Sequence, residues 1–373
     1  MKNFLFTRNL ENYRRNNGLG LKFQNIHHAY GRNKVVHDVS FSAEQGEITC
    51  LLGPSGCGKT TLLQIAAGIL DIQHGQLFLK GKILAESGNN PPPEKRSVGL
   101  VFQDGALFPH LNVEKNIGFG IRDASKRSAR VKDLLEKIGM GGFEKRFPNT
   151  LSGGQQQRIA FARAIAPSPS LLLLDEPFAN VDIQLRKNLR ALVRSILKTE
   201  GCAAILVTHD PSEALEIADK IVVLNAGRVI QSGSPQTLYD HPATTDIEAL
   251  LGGGQPLSGT LSQTHIKTVF GEWPRSVIAP QEESATPLPL PLPLPLGEIN
   301  ICIRANDIDI KTSNTSSISI QDITCIGAHL RATLQTPEST DILFANLPRS
   351  SKLNTGDTVE ILPRKSSIFI FPK

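Results

Sequence analysis

Much of the chain alternates short, continuous apolar runs with stretches of helical pattern. The clearest apolar runs lie at 47–53, 170–177, 202–210 and 220–227. Runs of this length and composition are typical of strands that are covered on both faces of a parallel sheet. Residues 21–250 are therefore predicted to form an α/β domain.

A long insertion separates the first two of these runs. Residues 104–165 contain the helical stretches EKNIGFGI and ASKRSARVKDLLEKIGM, which predict a helical subdomain. After residue 250 the pattern changes, because LGGGQPLSG is rich in glycine and predicts a linker at 251–260. The short, β-branched runs of 261–373 then predict a small all-β domain.

Two further segments are predicted to be linker-like. Residues 1–20 have basic side chains but only a three-residue apolar core, so they predict a flexible tail and not a secretory signal. At 286–297 the sequence TPLPLPLPLPLG has proline at every second position. Proline cannot donate to a central strand ladder, so this segment is predicted to be a stiff, extended surface linker, the alternative being a proline-rich ligand for a partner.

Composition narrows the class of protein. The 373 residues include 40 basic and 35 acidic side chains, a net charge of +5 that gives no argument for nucleic-acid binding. Five cysteines without a C-x-x-C spacing predict free thiols in a reducing compartment. No apolar run approaches the roughly 18 residues of a membrane span. We expect a soluble, cytoplasmic protein.

The first candidate site is GPSGCGKTT, which follows an apolar strand and precedes a good helix former. It fits G-x-x-x-x-G-K-[ST], in which glycines let backbone N–H groups surround a polyphosphate at a helix N-terminus. Lys59 would reach the β- and γ-phosphates, and the Thr60 hydroxyl would bind Mg²⁺. The alternative is a glycine-rich turn without a ligand. The predicted nucleotide-binding residues of this phosphate loop are Gly53, Pro54, Ser55, Gly56, Cys57, Gly58, Lys59, Thr60 and Thr61.

Two adjacent acids end the apolar run LLLLDEP. Buried strands rarely finish in neighbouring carboxylates unless a cation or catalysis requires them. Asp175 would hold Mg²⁺ through its water shell, and Glu176 would accept a proton from the attacking water. The alternative is a solvated strand end.

Polar residues also end two other predicted strands. His209 is a candidate for contacting the γ-phosphate or the water, although a lone histidine at a strand end is more often structural. Asp210 is interpreted as a helix N-cap, with Pro211 at the first helical position and Glu213 as the capping-box acid. Gln103 closes SVGLVFQ and could reach the metal or the water as a neutral ligand.

The segment LSGGQQQR is a second candidate anion site. Ser152 and Gln155 have the spacing of a capping box, which favours a capped helix and nothing more. The two glycines between them argue otherwise, since each costs a helix about 1 kcal/mol relative to alanine. Bare backbone there suits the close approach of an anion.

These motifs, in this order, resemble the ATP-binding subunit of ABC transporters over nearly the whole chain. The resemblance implies a P-loop ABC ATPase domain with ATP and Mg²⁺ as cofactors. It gives catalytic roles to Glu176, His209 and Gln103, and metal contacts to Thr60, Gln103 and Asp175. Tyr30 would stack on adenine. The family signature would be Leu151, Ser152, Gly153, Gly154 and Gln155.

One position departs from the family pattern. After the two acids the family commonly has Ser-Ala-Leu-Asp, whereas this chain has Ala179, Asn180, Val181 and Asp182. The aspartate of this D-loop is retained and the serine hydroxyl is absent, which bears on communication between two ATP sites.

The resemblance also implies partners. ABC ATPases pair head to tail, so the signature of one copy is applied to the γ-phosphate held by the other. The expected partners are a second copy, integral membrane permease subunits and, indirectly, a periplasmic-type solute-binding protein, but no nucleic acid. The expected location is peripheral, on the cytoplasmic face of the inner membrane.

Residues 91–120 resemble importers whose ATPase carries a C-terminal TOBE domain, an OB-like β module, and CIRANDIDI resembles that domain's strands. The sequence of residues 102–110 closely resembles that of ferric-iron importers, so ferric iron is the expected solute. Polyamine, maltose-type sugar, sulfate and molybdate importers share much of it. Alternatives of other classes are a soluble, non-transport ABC ATPase and a P-loop kinase. Residues 256–373 could also form a regulatory or dimerising module.

Overall fold

The computed structural model describes residues 19–179, 181–279 and 296–372. Two compact units divide the chain, Met1–Pro235 and Gln236–Lys373. The predicted tail at 1–20 lies outside the described residues except for its last two, which begin the first strand. The predicted proline-leucine linker at 286–297 also lies outside them except for its last two residues, as does Asn180.

The first unit contains ten strands and six α-helices among the described residues. The strands are β1 (Leu19–Tyr30), β2 (Asn33–Glu44), β3 (Ile48–Leu52), β4 (His74–Leu79), β5 (Lys82–Glu86), β6 (Val98–Val101), β7 (Leu171–Asp175), β8 (Ala203–Thr208), β9 (Lys220–Asn225) and β10 (Arg228–Gly233). The helices are α1 (Lys59–Ala67), α2 (Val113–Gly118), α3 (Ala124–Lys137), α4 (Gly153–Ile165), α5 (Ile183–Glu200) and α6 (Pro211–Ile217), with short 3₁₀ turns at Pro93–Lys95 and Pro148–Thr150.

The central sheet has the order β10-β9-β3-β8-β7-β6, with β10 as its antiparallel edge. The other five strands pair in parallel. All four predicted apolar runs lie in this sheet, and β3 and β8 are buried at every residue. The predicted α/β fold class is confirmed.

A second, antiparallel sheet of order β2-β1-β4-β5 was not predicted. Its strand β1 has three irregular steps in its register with β2 between Leu21 and Ala29, which break the period of two that identifies a half-buried strand. Phe23, Val39 and Leu77 of this sheet share one core with Leu62 of α1 and Leu173 of the central sheet. The antiparallel sheet therefore packs where α1 and the central sheet meet.

The predicted insertion holds α2, α3 and α4. The side chain of Asn116 on α2 is fully buried and binds the backbone of the preceding loop. It accepts from the Phe108 N–H at 2.9 Å and donates to the carbonyl oxygens of Phe108, Leu111 and Asn112 at 2.9–3.1 Å. This one amide fixes the loop between the central sheet and the helices.

In its described residues the second unit is all-β apart from two short helices, α7 (Pro235–Asp240), which begins at the boundary, and α8 (Thr245–Gly252). Three sheets follow, of orders β13-β12-β11-β14-β20, β15-β19 and β16-β17-β18. They are built from β11 (Gly254–Leu261), β12 (His265–Thr268), β13 (Gly271–Pro274), β14 (Gly297–Arg304), β15 (Ile308–Thr312), β16 (Ser319–Cys325), β17 (His329–Gln335), β18 (Ile342–Pro348), β19 (Val359–Pro363) and β20 (Ile368–Pro372), with 3₁₀ turns at Arg275–Val277 and Ala305–Asp307.

The predicted linker at 251–260 is wrong, because most of it is strand β11. Each residue of β11 is paired with β14, from Gly254 opposite Arg304 to Leu261 opposite Gly297. Leu257 and Leu261 are buried in the β core. Of the glycines that suggested a linker, Gly254 and Gly259 instead pair with β14, some forty residues further along the chain, whereas Gly252 and Gly253 end and cap α8.

Candidate functional site

Four predicted site residues follow the carboxyl ends of neighbouring parallel strands. Leu52 lies opposite Thr208, Asp175 opposite Val207 and Val101 opposite Leu174. Each strand therefore ends at nearly the same level. Consequently the residues just after them, Gly53, His209, Glu176 and Gln103, follow the same edge of the sheet, where open α/β sheets bind their ligands.

The phosphate loop leaves β3 through glycine conformations that other residues adopt poorly. Gly53 has φ 156° and Gly58 has φ 102°. A Cβ atom on Gly53 would lie 2.1 Å from the Leu224 carbonyl oxygen, and one on Gly58 would lie 3.0 Å from that of Val35. Because the chain approaches neighbouring backbone this closely, glycine is required at both ends of the turn. Pro54, Ser55 and Gly56 at the crown of the loop are exposed.

Lys59 lies at the centre of this loop, at the first residue of α1. Its side chain is 6% exposed, and Nζ donates to the carbonyl oxygens of Gly53 at 2.7 Å and Pro54 at 2.9 Å. Nζ also lies 3.8 Å from the buried Sγ of Cys57. The ammonium is thus held under the crown, where a polyphosphate on the loop would meet it.

Tyr30 reaches the same loop from the end of β1. Its hydroxyl lies 3.4 Å from Oγ1 of Thr61, and its ring packs edge-on against His28 with centroids 4.8 Å apart. Tyr30 is 49% exposed. An exposed ring fixed beside a phosphate loop suits stacking on a planar base.

Asp175 and Thr60 provide neighbouring oxygen ligands. Burial and the nearby Glu176 raise the pKa of Asp175, while Lys59 and a hydrogen bond from Thr60 oppose that shift. A hydroxyl and a carboxylate beside a phosphate site are the donors that Mg²⁺ takes, together with substrate phosphates. No group of three or more His, Cys, Asp or Glu side chains is arranged to hold a metal in the described parts of the chain. These two residues fit a metal that the nucleotide helps to bind.

Glu176 and His209 form a direct pair. Oε1 of Glu176 lies 3.0 Å from Nδ1 of His209. Glu176 has φ 42°, an uncommon conformation for a residue with a side chain, and its N–H donates to the Val207 carbonyl oxygen at 3.0 Å. Strained backbone of this kind concentrates at functional sites, where it orients a side chain.

A cavity of 110 Å³ lies beside this pair, and three of its polar residues were not predicted to belong to the site. Arg186 comes from α5, while Thr208 and Glu213 flank the histidine. The Thr208 hydroxyl donates to Oε2 of the buried Glu213 at 2.6 Å, and burial raises the pKa of Glu213.

The predicted capping box at α6 needs a correction. Asp210 is the N-cap, since its Oδ1 accepts from the Ser212 N–H at 2.9 Å, with Pro211 at the first helical position. The backbone N–H of Asp210, however, donates to Oγ1 of Thr208 at 3.0 Å. Glu213 does not close the box, because its carboxylate is turned inward to Thr208.

Gln103 is exposed two residues beyond β6. The loop after it borders a groove of 1050 Å³. Phe119, 64% exposed, contacts Phe108 with ring centroids 4.5 Å apart, and the Arg163 guanidinium lies 5.0 Å from the Phe108 centroid. We call this the docking groove. Its lining includes six basic side chains and two acidic ones: Lys95, Arg96, Arg122, Lys126, Arg130 and Arg163 against Glu94 and Asp123.

The signature segment caps α4. Oγ of Ser152 accepts from the Gln155 N–H at 3.4 Å, and Oε1 of Gln155 accepts from the Ser152 N–H at 3.0 Å, so the capping box is closed. Gly153 and Gly154 are the first two helical residues, and Leu151 is buried ahead of them. A 170 Å³ cavity at this helix start is lined by Ser152, Gly154, Gln155, Arg158, Val181, Leu185 and Leu189. None of these lining residues belongs to the phosphate loop. Asp182 is exposed beside the cavity, directly after Val181.

Each of the two units contains residues that match a known protein family. Residues 36–179 match the ABC transporter family, and residues 301–371 match the TOBE domain. The sulfate/thiosulfate import ATP-binding protein CysA of Burkholderia mallei is 36% identical over 367 residues, which cover 94% of this chain and 99% of that protein. The Fe(3+) ions import ATP-binding protein FbpC of Pseudomonas fluorescens is 42% identical over 256 residues, covering 68% of this chain and 72% of that protein.

Solved structures agree on the fold. The chain resembles cbiO1 of Clostridium perfringens, part of an ABC transporter complex, with a TM-score of 0.54 and 28% identity over 60% of this chain and 91% of that one. It also resembles the dimeric ATP-binding cassette MJ0796 bound to ADP and Pi, with a TM-score of 0.51 and 27% identity over 58% of this chain and 98% of that one. No helix in the described ranges is long and apolar enough to cross a membrane. The phosphate loop, the two acids at the end of β7 and the capped signature helix thus stand in a chain that belongs to the ABC transporter family, as an ATP-hydrolysing subunit with a C-terminal TOBE domain.

Proposed function

We propose that two copies of this chain pair head to tail, hydrolyse ATP between them and drive the uptake of a solute through membrane permease subunits. The observation that carries this proposal is the Glu176–His209 pair, 3.0 Å apart at the sheet edge that also bears the phosphate loop. A carboxylate held by a histidine suits acceptance of a proton from water. The cavity at the start of the signature helix includes no residue of that loop. We therefore assign the signature helix to the ATP that is bound by a second copy.

Each residue at the sheet edge has a proposed role. Lys59 and the loop N–H groups bind the phosphates, and Tyr30 stacks on the base. Glu176 takes the proton of the attacking water, which His209 and Gln103 orient. Thr60, Asp175 and Gln103 hold Mg²⁺, which when bound neutralises phosphate charge. In the second copy Leu151, Ser152, Gly153, Gly154 and Gln155 approach the γ-phosphate, with Asp182 beside them.

The docking groove supports the proposed permease partner. The exposed Phe119 and the half-buried Phe108 offer an apolar anchor, and the excess of basic side chains favours an acidic or amphipathic segment. The Asn116 amide fixes the backbone of Phe108 and Leu111 in the loop that borders the groove. A displacement of this loop by a bound partner would therefore be transmitted along the chain to Gln103. We place the chain on the cytoplasmic face of the inner membrane, bound peripherally to its permease, which receives solute from a periplasmic-type binding protein.

The solute is proposed to be a small inorganic ion, and two candidates have separate support. Ferric iron is favoured by the 42% identity to FbpC proteins, which covers 62% and 68% of this chain. Sulfate or thiosulfate is favoured by CysA proteins, whose 36% identity extends over both units. Uptake of radiolabelled sulfate and of radiolabelled ferric iron, compared in cells with and without this gene, separates them. If the deletion strain takes up sulfate and ferric iron as fast as the parent strain, both solute candidates are contradicted.

The hydrolytic role of Glu176 is tested by Glu176→Gln. Glutamine keeps the shape but cannot accept the proton, so we expect kcat to fall at least about a hundredfold while ATP still binds. Steady-state phosphate release and fluorescent-nucleotide binding are the two readouts. The control is Glu216→Gln, because Glu216 is an exposed carboxylate on α6 that pairs with Arg190 of α5. Unchanged turnover in Glu176→Gln would contradict the assigned role.

A further inference from the structure

Arg186 connects two parts of the site that the sequence did not link. Its Nη2 donates to the Val181 carbonyl oxygen at 3.2 Å, and Nη1 lies 3.9 Å from Oδ2 of Asp210. The side chain is 24% exposed and lines the cavity shared with Glu176 and His209. Its buried Nε has no hydrogen-bond partner among the described residues. Arg186 thus spans from the turn after Glu176 to the residue after His209.

The same turn supports the signature segment. The side chain of Val181 is 4% exposed, and a Cβ placed on Gly154 would lie 3.8 Å from its Cγ1. The first turn of the signature helix therefore rests on Val181. Val181, which supports the signature glycine, therefore lies close in the chain to Glu176, the reacting carboxylate.

We propose that Arg186 is a positioning residue that holds Val181 against the His209 segment, and so couples this copy's hydrolytic carboxylate to the signature it presents to its partner. The inference rests on the proposed function and deepens it. Ala179 lacks the hydroxyl that the family commonly has in this turn, so a charged, two-ended contact from α5 is well placed to order it. Its bond to a backbone carbonyl depends on the arginine fork.

The test compares Arg186→Met with Arg194→Met in the full-length protein. Both arginines lie on α5. Nη2 of Arg194, however, lies 2.9 Å from Oδ1 of Asp219, and Arg194 is not among the residues that line the cavity. We expect Arg186→Met to lower kcat about tenfold and the Hill coefficient for ATP toward one, because misplacing a reacting group slows chemistry without loosening substrate. The Kd for ATP and the melting temperature stay at wild-type values. Arg194→Met leaves kcat and the Hill coefficient unchanged.

Arg186→Lys keeps the positive charge and one donor nitrogen, so this variant is expected to recover part of the lost kcat. Wild-type kcat and Hill coefficient in Arg186→Met would overturn the inference, as would a parallel fall of kcat and melting temperature without recovery by lysine. If the methionine variant does not fold, Arg186→Gln takes its place in the comparison. Failure of the proposed function is distinguishable, because the wild-type protein itself would then hydrolyse no ATP or Glu176→Gln would remain active.

Discussion

At the residue scale, the site places charges where burial disfavours them. Asp175 ends a buried strand beside Glu176, and its pKa is raised by burial and by that neighbour. Lys59 and Thr60 oppose the shift but do not cancel it. Such a carboxylate costs folding free energy in exchange for the ability to bind a cation.

Asp175→Asn is therefore expected to stabilise the nucleotide-free protein while abolishing hydrolysis. A group whose pKa is raised by folding destabilises the native state above that pKa, and the cost disappears as pH falls through it toward the ordinary value of about 3.9. We expect the melting temperature to rise by about 2 °C at roughly pH 8 and by less as pH falls toward about 4. Thermal melts across that pH range provide the measurement.

The matched control for this prediction is Asp104→Asn, since Asp104 is exposed and loses little hydration on folding. Its melting temperature should follow that of the wild type at every pH. An Asp175→Asn protein that melts at or below the wild-type temperature near neutral pH would show that the buried charge carries no net cost.

At the element scale, the sequence predicted what depends on local pattern. The strands at 47–53 and 170–177 were found because continuous apolar runs mark buried parallel strands. Strand β11 was missed because its glycines suggest a linker, and the β14 ladder that makes it a strand is a long-range contact. Leu257 and Leu261, both buried, were its one local signal. Similarly, Arg186 joins the site through tertiary packing that no spacing in the sequence indicates.

In the second unit a buried ion pair, which the sequence did not reveal, joins α8 to strand β14. The Arg304 guanidinium on β14 donates to both carboxylate oxygens of Glu248 on α8 at 2.7 Å, and lies 3.8 Å from the Tyr239 ring centroid. Glu248 is fully buried. Burying this pair makes α8 part of the β unit.

Arg304→Met is expected to destabilise that unit by about 3–5 kcal/mol, because it leaves a buried carboxylate without its partner. Trp273, the single tryptophan, is buried in the same unit and donates to the Ile361 carbonyl oxygen, so its fluorescence during urea unfolding reports this unit specifically. Adding Glu248→Leu should restore most of the loss. The control is Arg364→Met, which removes an exposed pair with Asp309 and should cost less than about 1 kcal/mol. Equal midpoints for the two arginine variants would contradict the prediction.

At the scale of the whole molecule, the proposed shared ATP site requires two copies of the chain. The phosphate loop and the Glu176–His209 pair follow one edge of the central sheet, whereas the signature begins a helix of the inserted subdomain. The structure explains why the signature was ambiguous in sequence: it is a closed capping box and also presents two glycines at the helix start. A structural cap and half of a shared site predict different activities for a mixed dimer.

Two individually inactive variants can make that distinction. Lys59→Ala disables the phosphate loop and leaves the signature intact. Gly154→Asp places a negative charge where the partner's γ-phosphate would approach, while its Cβ meets only ordinary contacts of 3.8 and 4.0 Å within its own chain. In a mixed head-to-tail dimer both defects fall on one site, and the other site is built entirely from wild-type parts.

The most direct measurement is the ATPase rate of an equimolar mixture of Lys59→Ala and Gly154→Asp, compared with each variant alone. Random pairing makes about half of the dimers mixed, each with one intact site, so the mixture is predicted to recover up to about a quarter of the wild-type rate. A mixture that stays at the rate of the separate variants would show that each signature serves its own chain's nucleotide, and would contradict the shared site.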